Sequence, residues 1–562
     1  MVKKVLLYSL FLCSFFCCIV IACNNDKRPP VTEIAKTPEE LEKKIPDIIQ
    51  SSLAFALSNN GKIDDSIRLS YTPQVQLVYE KSKFASVWSS KESWEPLADS
   101  MFRFIRDAKL FGLFPQDYHH DDLDSLNKKL LTDTLAKKDV VLWAKADLML
   151  SDAFIHIVKD LKLGRLPKDS MTQRKDTTLI DDFYLQQFEQ AQQSRSITNI
   201  FEALEPAHEG YVNLKEGIKG FLDSADNRVY TIVPSPKKDS INYPVLLQRR
   251  LYEGGFIAYD SIKADSASLA DAVKKFQRSK KITVDGKAGE GTLRLLNESD
   301  RDKFIRIAIT LDRYKKLPEK MPERYLWVNL PAFNLKLIEN DTVLISSKII
   351  CGKNITRTPL LTSAISDMIT YPQWTIPTSI IVKEILPGLK KDTNYLARKG
   401  YTLIDNNGDI INPADVNWSK YTKGIPYKVV QGSGDENALG ILKFNFPNKY
   451  AVYLHDTNQR YLFSREMRSL SHGCVRVQEW EELAYYIVRY DNKDLYFDEP
   501  SPTEDSLTAW LERKEKHVIP VKKRLPLYIR YFTCEGKEGK LVFYDDIYGE
   551  DKALQAKYFA GR

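Results

Sequence analysis

The chain has 562 residues, of which 43% are hydrophobic, 28% charged and 11% aromatic, and these values exclude a low-complexity, collagen-like or wholly disordered protein. The 82 lysines and arginines exceed the 75 aspartates and glutamates by only seven, which argues against a nucleic-acid-binding protein. At about 150 residues per domain, the length allows three or four domains.

The first 22 residues have the pattern of an export signal. Two lysines near the N-terminus precede an apolar run from Val5 to Ala22. The run ends in the sequence VIAC, residues 20–23, which resembles the lipobox of bacterial lipoproteins. The resemblance implies cleavage before Cys23 and lipidation of its sulfur, so that the mature protein is anchored to a bacterial membrane on its periplasmic side. An uncleaved signal anchor is the alternative, because about 18 apolar residues just span a bilayer.

Three cysteines follow Cys23 in the sequence, namely Cys351, Cys474 and Cys534. Their number is odd, and their spacing fits neither a disulfide framework nor a zinc site. In an exported protein this pattern indicates a free reactive thiol. Cys351 ends a strand that reads as buried, which indicates a core thiol and not a nucleophile.

The N-terminal half is predicted to be mostly helical. Residues 23–65 are polar and predict a tether with one short helix at 38–45, which Pro46 ends. Residues 66–235 show helical spacing of apolar side chains and predict a helical scaffold domain, followed by a proline-containing linker at 234–244. The clearest apolar face is formed by Trp143, Ala146, Leu150, Ala153, Phe154 and Ile157.

Residues 240–298 predict a small module of three helices. The Asp285-Gly286 pair predicts a turn in which the glycine adopts positive φ, and Thr292 or a residue just before it is expected to cap the last helix. The segment resembles the type-one peptidoglycan-binding module of cell-wall enzymes. A purely structural spacer is the alternative.

In the C-terminal half, apolar and polar side chains alternate with a period of two residues. After a charged helix at 300–316, alternation predicts strands at 325–330, 334–338 and 343–350. A further alternating strand, residues 450–454, ends on His455.

The strongest chemical signal is the sequence Ser471-His472-Gly473-Cys474 with Arg476 nearby. Cys474 is predicted to lie on a glycine-containing loop ahead of a helix that begins near Trp480. A helix N-terminus and the cationic His472 and Arg476 are expected to lower the pKa of the thiol. His455 is expected to accept the thiol proton. Gly473 lets backbone amides face an oxyanion. A zinc site is disfavoured, since no fourth ligand stands out.

His455 followed by the SHGC sequence and Arg476 resembles the catalytic motif of the L,D-transpeptidase (YkuD-type) family. The resemblance extends over nearly the whole mature chain, to the larger members that carry a scaffold domain and a peptidoglycan-binding module. One departure is the turn at residues 432–436, which lacks the proline usual in those members. The other segments that carry the resemblance are residues 328–337, 356–365, 374–389, 437–457 and 531–551, together with Trp88, residues 111–119 and residues 161–167.

The resemblance implies an acyltransferase that joins peptidoglycan stem peptides through a thioester on a cysteine. It implies Cys474 as nucleophile, His455 as general acid and base, and backbone amides around His472 and Gly473 as oxyanion donors. The carbonyl of Asp456 is expected to orient His455, and carbapenems are expected to acylate the thiol. The residues expected to meet or shape the substrate are Arg476, Tyr453 and Ser471; period-two alternation places Tyr453 on the same face as His455.

The expected architecture is a multidomain α+β protein. A helical scaffold and the peptidoglycan-binding module precede a β-rich catalytic domain at residues 323–500, which has a lid at about 378–432 and a C-terminal extension at 501–562. Peptidoglycan peptides and glycan, the membrane and other cell-wall enzymes are the expected partners; no nucleic acid, metal or cofactor is expected. Two alternatives stay open, namely an L,D-carboxypeptidase that uses the same residues and a non-catalytic scaffold anchored in the wall.

Overall fold

A computed structural model describes residues 28–258, 265–280, 282–493 and 502–562. It divides into two compact units: the first comprises the described residues up to Ile105, with 116–157 and 181–200, and the second comprises 106–115, 158–180 and 201–562. The predicted signal peptide and Cys23 lie outside the described residues. Within the described ranges, none of the helices combines the length and the apolarity that a bilayer crossing requires.

The N-terminal part of the chain is helical, as expected. Its elements are α1 (Pro38–Ser58), α2 (Thr72–Lys81), β1 (Ser89–Ser90), β2 (Ser93–Trp94), α3 (Pro96–Arg106), short 3₁₀ turns at Ala108–Phe111 and Pro115–Tyr118, α4 (His120–Thr132), α5 (Thr134–Lys137), α6 (Val140–Leu163), α7 (Asp181–Ser194) and α8 (Thr198–Glu202). In the first unit, Trp88 packs edge-on against Phe188 of α7 and lies beside Phe154 of α6. These aromatic contacts form a core around α6.

The prediction of a tether is wrong for residues 38–58, which form the packed helix α1. The Thr37 side chain accepts a hydrogen bond from the Glu40 amide at the helix start. Pro46 lies inside the helix and does not end it, although an interior proline removes one intrahelical hydrogen bond. The helix persists because its buried face stabilises it; the apolar members of that face are Leu41, Ile45, Ile48, Ile49, Leu53 and Ala56.

Helix α9 (Glu209–Ser224) precedes the small module, which is formed by α10 (Tyr243–Glu253), α11 (Ser266–Ser279) and α12 (Glu290–Asn297) and is followed by α13 (Asp300–Tyr314). The turn at Gly286 has a φ of +73°, as the Asp-Gly pair predicts. The side-chain oxygen of Gln277 accepts the amides of Asp285 and Gly286 and fixes this turn. Thr292 does not cap α12: the N-cap residue is Gly289, and Thr292 is buried.

The C-terminal domain is built on a nine-stranded sheet. Its elements, in chain order, are β3 (Arg324–Asn329), β4 (Asn334–Glu339), β5 (Thr342–Gly352), β6 (Leu361–Thr370), β7 (Trp374–Thr375), α14 (Thr378–Ile380), a π-helical turn (Ile381–Ile385), α15 (Leu386–Lys391), α16 (Tyr395–Arg398), β8 (Tyr401–Ile404), 3₁₀ turns at Pro413–Asp415 and Trp418–Lys420, β9 (Lys428–Gln431), β10 (Leu442–Asn445), β11 (Leu454–His455), a 3₁₀ turn at Arg460–Ser464, β12 (Ser469–Ser471), β13 (Val475–Val477), α17 (Trp480–Asn492), α18 (Glu504–Glu512), β14 (Val518–Arg530), β15 (Cys534–Lys537), β16 (Lys540–Phe543) and α19 (Glu550–Tyr558).

The strand order in this sheet is β12-β5-β13-β11-β10-β6-β14-β3-β4, and β4 also pairs with β5. This second pairing closes the sheet on itself around an apolar core, to which Leu326, Leu335, Phe444, Leu454 and Val475 contribute. The expected α+β organisation is confirmed. The predicted strand at 450–454 is shorter than expected, because only Leu454 and His455 pair as β11.

The boundary predicted at residue 500 does not match the sheet. Strand β14 comes from the predicted C-terminal extension, yet it lies between β6 and β3 in the middle of the strand order. Its period-two pattern is interrupted where the β6 register shifts between Pro520 and Leu525. In this interval the amides of Lys522 and Lys523 donate to the Asp491 carboxylate.

The segment predicted as a lid folds as a small subdomain with its own three-stranded sheet, in the order β7-β9-β8. Strands β8 and β9 lie within this segment, although its sequence is poor in strand pattern, and β7 directly precedes it. Its helices and strands enclose a separate apolar core, formed by Ile376, Ile381, Ile385, Leu386, Leu389, Leu396, Leu403, Trp418 and Val429. The subdomain can therefore hold its shape through its own packing.

Candidate active site

Three neighbouring strands bring the predicted site residues together. In the β10–β11 pair Lys443 is opposite His455, and in the parallel β11–β13 pair His455 is opposite Arg476. Leu454 is opposite Val475, so Cys474, one residue before β13, lies beside Tyr453. Leu454 and Val475 point into the apolar core, so the alternating residues lie on the other face of the sheet.

His455 is buried and held in one orientation. Its Nδ1 donates a hydrogen bond to the backbone carbonyl of Asp456, so Nε2 carries the lone pair. Burial lowers the pKa of His455 to about 3, and the positive charge of Arg476 acts in the same direction. A neutral imidazole is therefore present at physiological pH, in the form that accepts a proton.

The Asp456 carboxylate fixes the end of β11. It is buried and accepts hydrogen bonds from Arg460 at 2.8 and 3.1 Å and from the amide of Ile441 at 3.1 Å. The cationic partner of the Asp456 carboxylate is thus Arg460. Because the carboxylate is held, the Asp456 carbonyl that orients His455 is held with it.

Gly440 packs directly against the Asp456 carboxylate, and Gly440→Ala tests this arrangement. The φ of Gly440 is +64°, and a Cβ there would lie 2.3 Å from the Asp456 carboxylate. We expect the substitution to lower the free energy of unfolding by about 1–3 kcal/mol and to reduce the acylation rate of Cys474. Gly432→Ala is the matched control, since a Cβ at Gly432 meets no atom within 4 Å. Equal melting temperatures and acylation rates for the two variants would contradict the assignment.

The Cys474 thiol is half-buried and beside Tyr453. Burial raises the pKa of the Cys474 thiol, while hydrogen bonds from Tyr453 and the charges of Lys443 and Arg476 oppose the rise. The expectation of a pKa lowered by a helix N-terminus is wrong, because β13 begins at Val475 and α17 only at Trp480. The thiol is therefore neutral at rest and needs a base before it can attack.

Ser471 holds the loop that carries the thiol. Its hydroxyl donates to the Cys474 carbonyl at 2.6 Å and accepts the Gly473 amide at 3.1 Å. The Gly473 carbonyl in turn accepts a hydrogen bond from the Thr358 hydroxyl at 2.8 Å, and Gly473 has a φ of +123°. Ser471 therefore positions the loop that carries the thiol. The Gly473 amide is already engaged, so the amides of His472 and Cys474 are the oxyanion candidates that this loop offers.

The remaining predicted residues lie around the thiol with different partners. The exposed His472 bonds through Nε2 to Glu384, in the π-helical turn of the lid segment. Arg476 donates from Nη1 to Gln459 at 3.1 Å, while its buried Nε has no partner in the described part of the chain. Tyr453 has its ring centre 5.7 Å from that of His455, and burial raises the pKa of its hydroxyl.

Sequence reasoning missed Lys443, Arg460 and Glu384. The alternation of apolar and polar residues in Leu442–Asn445 places Lys443 on the sheet face opposite Leu442 and Phe444. This pattern could have indicated that Lys443 lies on the same face as the site. Arg460 lies four residues after Asp456, but the residues between them form an irregular loop, and the 3₁₀ turn begins only at Arg460. No local pattern connects Glu384 with His472, 88 residues later.

Three segments of the chain match models of known protein families. Residues 323–494 match the model of the L,D-transpeptidase catalytic domain, 244–296 that of a "Putative peptidoglycan binding domain", and 73–218 that of the Scaffold domain. A curated protein of Haemophilus influenzae named "Putative L,D-transpeptidase" is 33% identical over 249 residues, which are 44% of this chain and 48% of that protein. The match therefore spans about half the length of that relative. The crystal structure of an L,D-transpeptidase from Stackebrandtia nassauensis is 17% identical and aligns with 47% of this chain and 90% of its own, with a TM-score of 0.15.

Proposed function

Because residues 323–494 form a domain of the L,D-transpeptidase catalytic family, we propose that this protein is a peptidoglycan L,D-transpeptidase with Cys474 as its nucleophile. The observation that supports this proposal most is the placement of His455 at the end of β11 and of Cys474 directly before the adjacent strand β13, with Nδ1 of His455 held by the Asp456 carbonyl. The proposed donor is a tetrapeptide stem, and the proposed acceptor is the side-chain amine of a second stem.

The first half-reaction acylates the thiol. Nε2 of His455 takes the proton from Cys474, and the sulfur attacks the carbonyl carbon at the L-centre of diaminopimelate. The resulting oxyanion is held by backbone amides of the loop at His472 and Cys474. When the tetrahedral intermediate collapses, the C–N bond breaks, His455 returns its proton to the leaving amine, and D-alanine departs from a thioester.

The second half-reaction transfers the acyl group. The acceptor amine attacks the thioester carbonyl, and His455 takes a proton from the attacking nitrogen. The C–S bond breaks, the sulfur regains a proton from His455, and a diaminopimelate–diaminopimelate cross-link leaves the site. Burial keeps the imidazole neutral between the two half-reactions, so it is in the form that can accept each proton.

Purified disaccharide-tetrapeptide tests this function. We expect the wild-type protein to form a dimer whose mass is that of two donors minus one alanine, measured by liquid chromatography and mass spectrometry. Release of tripeptide with no dimer would replace the proposal with an L,D-carboxypeptidase. No turnover of any stem would favour a non-catalytic scaffold.

The thiol is also expected to open a carbapenem. Attack on the β-lactam carbonyl breaks the ring C–N bond and leaves the whole drug on Cys474, so the intact mass should rise by one drug mass. We propose that the lid segment excludes water from this thioester. Glu384→Gln weakens the contact with His472 and should shorten the lifetime of the adduct more than it slows acylation. An adduct that persists on Cys474→Ala protein would contradict the assignment.

The other segments suit a cell-wall location. The match of residues 244–296 supports a role in holding peptidoglycan near the catalytic domain. We propose in addition that Cys23 carries a lipid that retains the mature protein at a membrane. Cys23→Ala should move the protein to the soluble fraction, whereas retention through an uncleaved N-terminus would support a signal anchor.

A further inference from the structure

Lys443 is a cation at the reaction centre that the mechanism above does not use. It lies on β10 directly opposite His455 and is half-buried. Its Nζ lies 4.0 Å from the centre of the Tyr453 ring, so the ring face fixes the direction of the ammonium group. Arg476 lies on the other side of His455 in the same row across the three strands.

Neither cation is neutralised by the protein. Among the described residues, Lys443 and Arg476 make no ion pair. The carboxylate of Asp367 influences Lys443 but is bonded to Asn445 at 2.6 Å and Ser366 at 2.8 Å, while that of Asp456 is bonded to Arg460. Burial lowers the pKa of Lys443, which shows that the charge is partly removed from water.

A cation withdrawn from water without a counter-charge is costly, and a bound anion would remove that cost. Two such cations bracket His455. Lys443 on β10 and Arg476 on β13 are separated by one intervening strand, β11. Because adjacent strands are about 4.8 Å apart, the backbones that carry the two cations are separated by roughly 10 Å. A ligand that extends to both sides of the attacked carbonyl and bears a carboxylate at each end fits this spacing.

We infer that Lys443 is a specificity residue that binds the side-chain carboxylate of diaminopimelate in the donor stem, and that Arg476 binds the carboxylate of the departing D-alanine. This inference rests on the proposed function. The assignment of the two carboxylates follows from their distances to the attacked carbon. The alanine carboxylate is the nearer of the two to the attacked carbon, so it suits Arg476, which lies two residues after Cys474. The carboxylate of the diaminopimelate side chain is farther from that carbon, so it suits Lys443, whose strand β10 is two strands from β13.

The test compares two donors on three proteins. The donors are a disaccharide-tetrapeptide with a free diaminopimelate side-chain carboxylate and the same compound with that carboxylate amidated. The proteins are the wild type, Lys443→Met and Lys443→Arg. For the free acid, Lys443→Met should lower kcat/KM by about 10- to 100-fold, mainly through KM, because a hydrogen bond to a charged group is lost. For the amide the loss should be clearly smaller, because only the effect of the Lys443 charge on the thiol is removed there, and Lys443→Arg should restore most of the preference for the acid.

Acylation by a carbapenem and the melting temperature verify that each variant folds with a competent thiol. Equal losses of Lys443→Met on both donors, with wild-type turnover intact, would overturn the role of Lys443 and leave the proposed function standing. Equal kcat/KM values of the wild type for the two donors would also overturn the role of Lys443 and leave the proposed function standing. If the wild type turns over neither donor, both the function and the inference fail.

Discussion

Replacing Cys474 with alanine is expected to abolish thioester formation and all cross-linking, because the other two described cysteines are placed where they cannot act. Cys351 lies in the closed core of the sheet, and burial raises its pKa to about 12. Cys534 is buried in a second apolar cluster, and burial raises its pKa as well. The measurement is the intact mass of each variant after incubation with a donor stem, together with dimer yield.

The matched controls are Cys351→Ala and Cys534→Ala, which should keep most of the acylation rate. Both remove a buried sulfur from apolar surroundings, so a lower melting temperature is expected without loss of chemistry. A folded Cys351→Ala protein that is as inactive as Cys474→Ala would overturn the assignment of the nucleophile.

His455→Ala is expected to lower the acylation rate by about 10²- to 10⁴-fold, since it removes the group that takes the thiol proton. His472→Ala should cost less, because His472 is exposed and bonded to Glu384 and not to the reacting groups. Single-turnover acylation measured by rapid quench and mass spectrometry ranks the two variants. The opposite order would exchange their roles.

The same imidazole determines the acidic side of the pH profile. Since the pKa of His455 is about 3, the base stays neutral as pH falls through 6.5, where an exposed histidine gains its proton. The acylation rate of the wild type should therefore hold nearly level from about pH 8 to pH 5 and fall only as pH approaches the lowered pKa. A loss centred near pH 6.5, with the protein still folded, would mean that His455 is solvated.

The residues from 453 to 476 could be predicted from the sequence because strand, loop and strand follow each other closely and carry a specific motif. The direction of the pKa shift of Cys474 could not be predicted from the sequence. It depends on how deeply the thiol is buried and on the start of α17, which lies six residues after Cys474. Lys443 and Glu384 join the site through pairings across strands and across 88 residues, which a local pattern does not reveal. Pro46 misled the prediction for α1 because tertiary burial outweighed the local penalty.

The central position of β14 has a consequence for how the active enzyme forms. Leu326 of β3 pairs with Leu527 of β14, so this ladder cannot close until about 200 further residues have been synthesised. Such distant pairing folds slowly, and until it forms β3 and β6 present unpaired backbone edges that other chains can join. The loop that carries Cys474 therefore gains the support of the closed sheet only after residues 518–530 have been synthesised and paired. Proteolysis between α18 and β14 should likewise yield insoluble fragments that do not retain activity.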